Sequence, residues 1–153
     1  MARFQNSTQK YDQNGIKIPK GISGIKNYTL ENPNVLIFDS KSEYEIYKLL
    51  TEQLETGLIS ALEIKKKFDL VPAIKWFNNI KGKFENIRGV SYITDFAFVR
   101  GNEKIIVDCK GWKFKMDKKS GKEKWQVYYD DIYKLKKKLF LNKYGTEYTF
   151  EEM

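Results

Sequence analysis

Two aspartates and a lysine, Asp95, Asp108 and Lys110, are the residues of this sequence whose types and spacing could do chemistry. They flank Arg100-Gly101-Asn102-Glu103, which interrupts two runs rich in β-branched, aromatic and aliphatic residues, Phe84 to Val99 and Lys104 to Lys110. A Gly-Asn pair between two such runs predicts a hairpin with a two-residue turn. With Gly101 and Asn102 as the turn, Arg100 faces Glu103, and counting back along both strands sets Asp95 directly across from Asp108. Lys110 lies two residues beyond Asp108 and shares its face, because strand side chains alternate. Opposed carboxylates with Cβ atoms about 5 Å apart repel by roughly 3 kcal/mol at an effective dielectric of about 20, so the pair needs compensation. Lys110 supplies one positive charge, while a bound divalent cation would supply two and prefers hard oxygen ligands. The rest of the expected face is Ile93, Ala97, Val99 and Ile106, which puts the aspartates among apolar neighbours.

Composition removes most rivals to carboxylate chemistry. The 153 residues contain no histidine and one cysteine, so there is no imidazole zinc site, no Ser/His/Asp triad, no Cys/His pair and no internal disulfide. Lys and Arg number 28 against 20 Asp and Glu, a net charge of +8 that makes a polyanion the default partner. The length suits one domain, and 41% hydrophobic with 15% aromatic residues rules out global disorder. Apolar runs such as Val35 to Phe38 are strand-length, short of the ~20 residues of a membrane span. The first residues, Met1-Ala2-Arg3-Phe4-Gln5-Asn6, lack the apolar stretch of a secretory signal, so a reducing cytoplasm is expected.

The elements that must position the aspartates can be read in order. Residues 1–33, polar and carrying Arg3, Lys10, Lys17, Lys20 and Lys26, are expected to form a flexible basic arm ahead of a domain over 34–153. Ser40 and Glu43 have capping-box spacing, and Ile46, Leu49, Leu50 and Leu54 recur helically up to Gly57, which predicts a helix over 41–56. Glu43 starts the stripe 43, 46, 50, 54, so it can act as a cap or bring a third carboxylate to the sheet. Leu62 to Leu70 alternates as a strand, and residues 73–83 stay open between loop and hairpin end. Residues 112–124 read as a basic loop, with Lys113, Lys115, Lys118 and Lys119 among its lysines. A helix over about 127–143 follows, with Ile132, Leu135 and Leu139 inward and Lys134, Lys137, Lys138 and Lys143 largely outward, stopped at Gly145. Tyr128, Tyr129 and Tyr133 read as packing residues, and Thr146 to Glu151 closes as a strand. Cys109 falls on the opposite face from Asp108 and reads as a buried structural thiol. The resulting order, α-β-β-β-α-β, predicts an α/β fold with a mixed central sheet flanked by helices.

Thr94-Asp95, followed 13 residues after Asp95 by Asp108-Cys109-Lys110, resembles the PD-(D/E)XK nuclease superfamily, whose restriction-endonuclease-like core has the same αβββαβ order. Phe38 to Glu43, Ile64 to Leu70 and Ile132 to Gly145 look like small phage-encoded endonucleases of that superfamily, some of which resolve Holliday junctions. The resemblance covers about residues 36–150. It implies Mg²⁺ or Mn²⁺ held by Asp95, Asp108 and the main-chain carbonyl of Cys109, with Glu43 as a further metal or water ligand. Lys110 would orient the attacking water and offset charge on the phosphorane. Lys113, Lys115, Lys118, Lys119, Lys134 and Lys137 would contact the DNA backbone. The sequence departs from the pattern in Thr94, where proline is usual, and in the basic stretch 112–124. Branched DNA is the implied substrate, and paired cuts would need a homodimer. Two alternatives stand beside this reading. One is a non-catalytic DNA-binding protein whose carboxylates form an ion-pair cluster with Lys110; the other is a subunit that nicks only within a larger recombination or transposition complex.

Overall fold

The turn at Gly101-Asn102 forms as its chemistry dictates. Gly101 takes a left-handed φ of 63°, and the strands on either side, β8 (Phe96–Arg100) and β9 (Glu103–Asp108), pair from Arg100 with Glu103 to Phe96 with Val107. The computed structural model describes residues 9–110, 112–116, 119–121, 123–127 and 130–153. It is a mixed α/β protein that divides into two units, the first ending at Gly57 and the second beginning at Leu58.

In the first unit, β1 (Tyr11–Asp12) pairs with β2 (Ile37–Phe38), with α1 (Ile22–Glu31) between them in sequence and α2 (Lys41–Glu55) after them. The segment expected to be an arm therefore contains a strand and a helix up to Glu31, and the division falls at Gly57 rather than after residue 33. The Ser40 cap forms, its Oγ accepting from the Glu43 N–H at 3.1 Å, while the Glu43 side chain reaches one residue further back than a capping box does, its Oε2 accepting from the Asp39 N–H at 3.3 Å. Phe38 is fully buried, its ring 4.7 Å from that of Tyr47.

In the second unit a four-stranded mixed sheet has the order β12-β9-β8-β3, with β3 spanning Ser60–Ile64 and β12 spanning Tyr148–Glu152. β12 runs parallel to β9, and the return is made through α3 (Asp131–Tyr144), as a parallel connection requires. The strand expected over 62–70 is two strands, β3 and β4 (Lys67–Val71), separated at Lys65, whose φ of 54° is left-handed. Opposite the break, the run after Phe84 is likewise divided, into β6 (Lys83–Ile87), β7 (Val90–Ile93) and β8. The open stretch 73–83 contains β5 (Ile74–Asn78), which pairs with β6.

These pieces make one antiparallel ribbon. Ile64 pairs with Phe96 and Lys67 with Ile93, the same register on both sides of the break. Lys65 N–H donates to Asp95 O at 3.1 Å and Thr94 N–H to Lys66 O at 3.0 Å across it. One irregularity lies between Asp69 and Val71, and the pairing then continues through Ile74 with Ile87 to Asn78 with Lys83.

Residues 112–124, expected as a loop, include β10 (Trp112–Met116), which pairs with β11 (Glu123–Val127), so alternating basic and aromatic residues have formed a ladder. α3 begins at Asp131 because Asp130 Oδ1 accepts from the Tyr133 N–H at 2.7 Å. Its buried stripe is Tyr133 and Phe140, with Leu139 and Tyr144 alongside; Ile132 and Leu135, expected inward, are exposed. The aromatic rings win the interior by size: Phe140 sits edge-on to Phe68 at 5.0 Å and near Tyr92, Tyr144 and Phe150. Among the described residues no helix is long and apolar enough to cross a membrane.

Candidate functional site

Asp95 ends the short connection between β7 and β8, and Asp108 ends β9, so the register of the Gly101-Asn102 hairpin brings them to the same end of neighbouring strands. Asp95 lies one residue beyond the last ladder pair, Phe96 with Val107. Its Oδ2 instead accepts from the Cys109 N–H at 2.7 Å, which ties the carboxylate to the residue between Asp108 and Lys110. Its Oδ1 faces Lys65 Nζ at 3.3 Å. Burial raises the Asp95 carboxyl above the ordinary carboxylate range, and nearby Asp108 adds to this, while the Cys109 N–H and Lys65 partly offset it.

Asp108 is buried, and its Oδ1 accepts from the Tyr92 hydroxyl at 2.8 Å. Burial and the Asp108 charge hold that phenol protonated, so it remains a donor. Asp108 Oδ2 forms an ion pair with Lys110 Nζ, which also lies 3.0 Å from the centre of the Tyr133 ring. Lys110 and Asp108 are both mostly shielded, their side chains 14% and 11% exposed. The expected trio of Asp95, Asp108 and Lys110 therefore does come together.

Its surroundings differ from those that strict alternation predicts. Ile93, expected beside Ala97, is exposed, whereas Tyr92 is buried in one cluster with Ala97 and Ile106. The alternation slips at Thr94 and Asp95, where the ribbon breaks. Thr94 is completely buried and its hydroxyl lies 2.9 Å from both Phe96 O and Val107 O, across the hairpin. Its N–H donates to Lys66 O, a bond for which proline has no hydrogen, so the departure from proline here has a structural reason.

Three site neighbours were not singled out from the sequence. Lys65 holds the register position opposite Asp95, and the pairing of Ile64 with Phe96 would have found it. Tyr92 gave no signal, since alternation placed it on the wrong face. Glu152 is the partner of Asp108 in the parallel ladder, and the Lys110 N–H extends that ladder to Met153 O at 2.6 Å. Glu152 Oε1 accepts from the Tyr133 hydroxyl at 3.1 Å and pairs with Lys137, so Lys137 is not outward as expected.

Glu43 is buried in the first unit, bonded to the backbone at the start of α2. Of the expected DNA-contacting lysines, Lys134 is exposed and 3.8 Å from Asp131, and Lys119 is exposed. Lys113 and Lys115 are backbone positions of β10, and Lys118 lies outside the described residues.

Among the described residues, no three of His, Cys, Asp and Glu converge as a ready metal cage. The pair nonetheless fits a hard divalent cation in its chemistry. Mg²⁺ is commonly held by one or two carboxylates with waters and substrate phosphate completing the shell, and two neighbouring shielded carboxylates are such a donor set.

Residues 26–150 match the protein family described as "Protein of unknown function (DUF1064)". No curated protein and no solved structure matches the chain.

Proposed function

We propose that this chain, which belongs to the DUF1064 family of proteins of unknown function, is a metal-dependent endonuclease that hydrolyses phosphodiester bonds in DNA. One observation carries the reading: Asp95 and Asp108 meet across the hairpin, locked together through the Cys109 N–H, with Lys110 on Asp108. The net charge of +8 fits a polyanionic substrate.

Asp95 and Asp108 would hold Mg²⁺ or Mn²⁺, with the main-chain carbonyl of Cys109 as a third oxygen. The ion, when bound, supplies Lewis-acid stabilisation of the phosphate and a more acidic water. Tyr92 fixes one oxygen of Asp108, so this carboxylate is aimed before any ligand arrives. Lys110, held between Asp108 and the Tyr133 ring, is the cation placed to orient the attacking water and offset developing charge on the phosphate. The preferred substrate by sequence resemblance is branched DNA such as a Holliday junction, and two symmetric cuts would call for a homodimer, which light scattering measures.

A second reading is favoured by a specific observation. Each aspartate already has a lysine, Asp95 with Lys65 and Asp108 with Lys110, as an architectural ion-pair cluster in a non-catalytic DNA-binding protein would. Cleavage of labelled four-way junction, flap and linear duplex in Mg²⁺, Mn²⁺ or EDTA separates the two. The nuclease reading expects metal-dependent cutting that Asp108→Asn and Lys110→Ala each reduce by at least about 100-fold, the lower end for a positioned catalytic group. DNA binding without cutting under any metal would leave the binding protein standing.

A further inference from the structure

The ribbon that carries Lys65 and Asp95 runs on to the hairpin of β5 and β6, which among the described strands pair only with each other. Its tip is held in shape: Asn78 Oδ1 accepts from the N–H groups of Ile80 and Lys81 at 3.0 and 3.1 Å, and Gly82 takes a left-handed φ of 61°. The side chain this tip presents is Ile80, 96% exposed. Behind it Phe77 and Phe84, edge-on across the strands at 5.2 Å, are exposed on one face of the hairpin, and Trp76 is exposed on the other. Lys75, Lys81, Lys83 and Arg88 accompany them against Glu85 as the one acid of residues 74–88.

An apolar patch of this kind marks a contact surface. A second copy of the same hairpin is a poor occupant, since a two-fold contact would set these cations against their own copies. The charge calls for an anionic partner that also offers apolar gaps. DNA meets both demands, with phosphates along its edges and stacked bases between which an aliphatic side chain can wedge. We propose that the β5–β6 hairpin is a DNA-distorting arm, in which Ile80 enters between base pairs while Lys75, Lys83 and Arg88 contact phosphates. The partner class rests on the DNA reading above, but the arm does not depend on the metal chemistry. The contour from Lys65 to Asn78 is roughly 40 Å at about 3.3 Å per residue, similar to one turn of duplex.

The test is binding, in EDTA, of a duplex carrying 2-aminopurine, whose emission rises on unstacking. Wild-type protein is expected to raise the emission severalfold. Ile80→Ser, at a fully exposed site, should keep its thermal midpoint, lose most of that rise and bind about tenfold more weakly. Lys83→Ala should lower the salt slope of binding by about one charge. Ile80→Ser with unchanged emission and affinity, or no binding by wild type, would overturn the arm. So would hairpin variants that turn a dimer into a monomer by light scattering while leaving DNA affinity intact. The same duplex in Mg²⁺ reports cleavage separately. An emission rise without cutting sinks only the nuclease, and cutting without an emission rise sinks only the arm.

Discussion

Thr94 shows what a single buried hydroxyl does beside the aspartates. It is shared between the carbonyls of Phe96 and Val107, one on each strand of the hairpin, while its N–H spans to Lys66. Thr94→Val keeps the shape and removes the donor, leaving buried carbonyls short of a partner. The expected cost is about 1–3 kcal/mol in urea unfolding, with Thr94→Ser close to wild type. At this scale, legibility from sequence was uneven. Asp95, Asp108 and Lys110 were found because the turn chemistry of Gly-Asn is local and counts outward to them. Tyr92 and Lys65 were not, because their places depend on a backbone break at Lys65 whose left-handed φ no residue type announces there.

Helix α3 is where patterning at the level of the element misled. Several apolar stripes competed along Ile132, Tyr133, Leu135, Leu139 and Phe140, and aliphatic spacing alone chose Leu139, which packs against the core, together with Ile132 and Leu135, which face solvent. The cap at Asp130 and the aromatic cluster around Phe68 set the true rotation. Phe140 is fully buried at the centre of that cluster, so Phe140→Ala should destabilise the second unit by about 3–5 kcal/mol, whereas Leu135→Ala should change its thermal midpoint little. The α/β class, α2 with its cap, the β8–β9 hairpin and the final strand were legible because each rests on short-range signals. The register of β3 to β8 was not, since it depends on strands whose partners lie up to tens of residues away.

At the scale of the whole molecule, the acid sensitivity of the first unit follows from one buried carboxylate. Asp12 in the first unit is buried, which opposes its ionisation. Hydrogen bonds from Tyr28, Ile16 and Asn14 outweigh this and hold its carboxyl below the usual value of 3.8. A group depressed in the folded state stabilises above its unfolded pKa and loses that contribution as pH falls through the folded one. The first unit should therefore weaken below about pH 4, and Asp12→Asn should flatten that part of the stability profile, read by thermal melts at stepped pH.

The constant register of the ribbon from Val71 and Val90 outward also makes the length of that outer part an independent variable. Beyond Val71 and Val90, removing one cross-strand pair at a time, a residue from each strand, shortens the arm and leaves Lys65 opposite Asp95. Removing a residue from one strand alone turns every side chain between the cut and the tip to the other face. Relatives of this chain can thus differ in reach by matched gaps on either side of the tip, with the carboxylates undisturbed at the base.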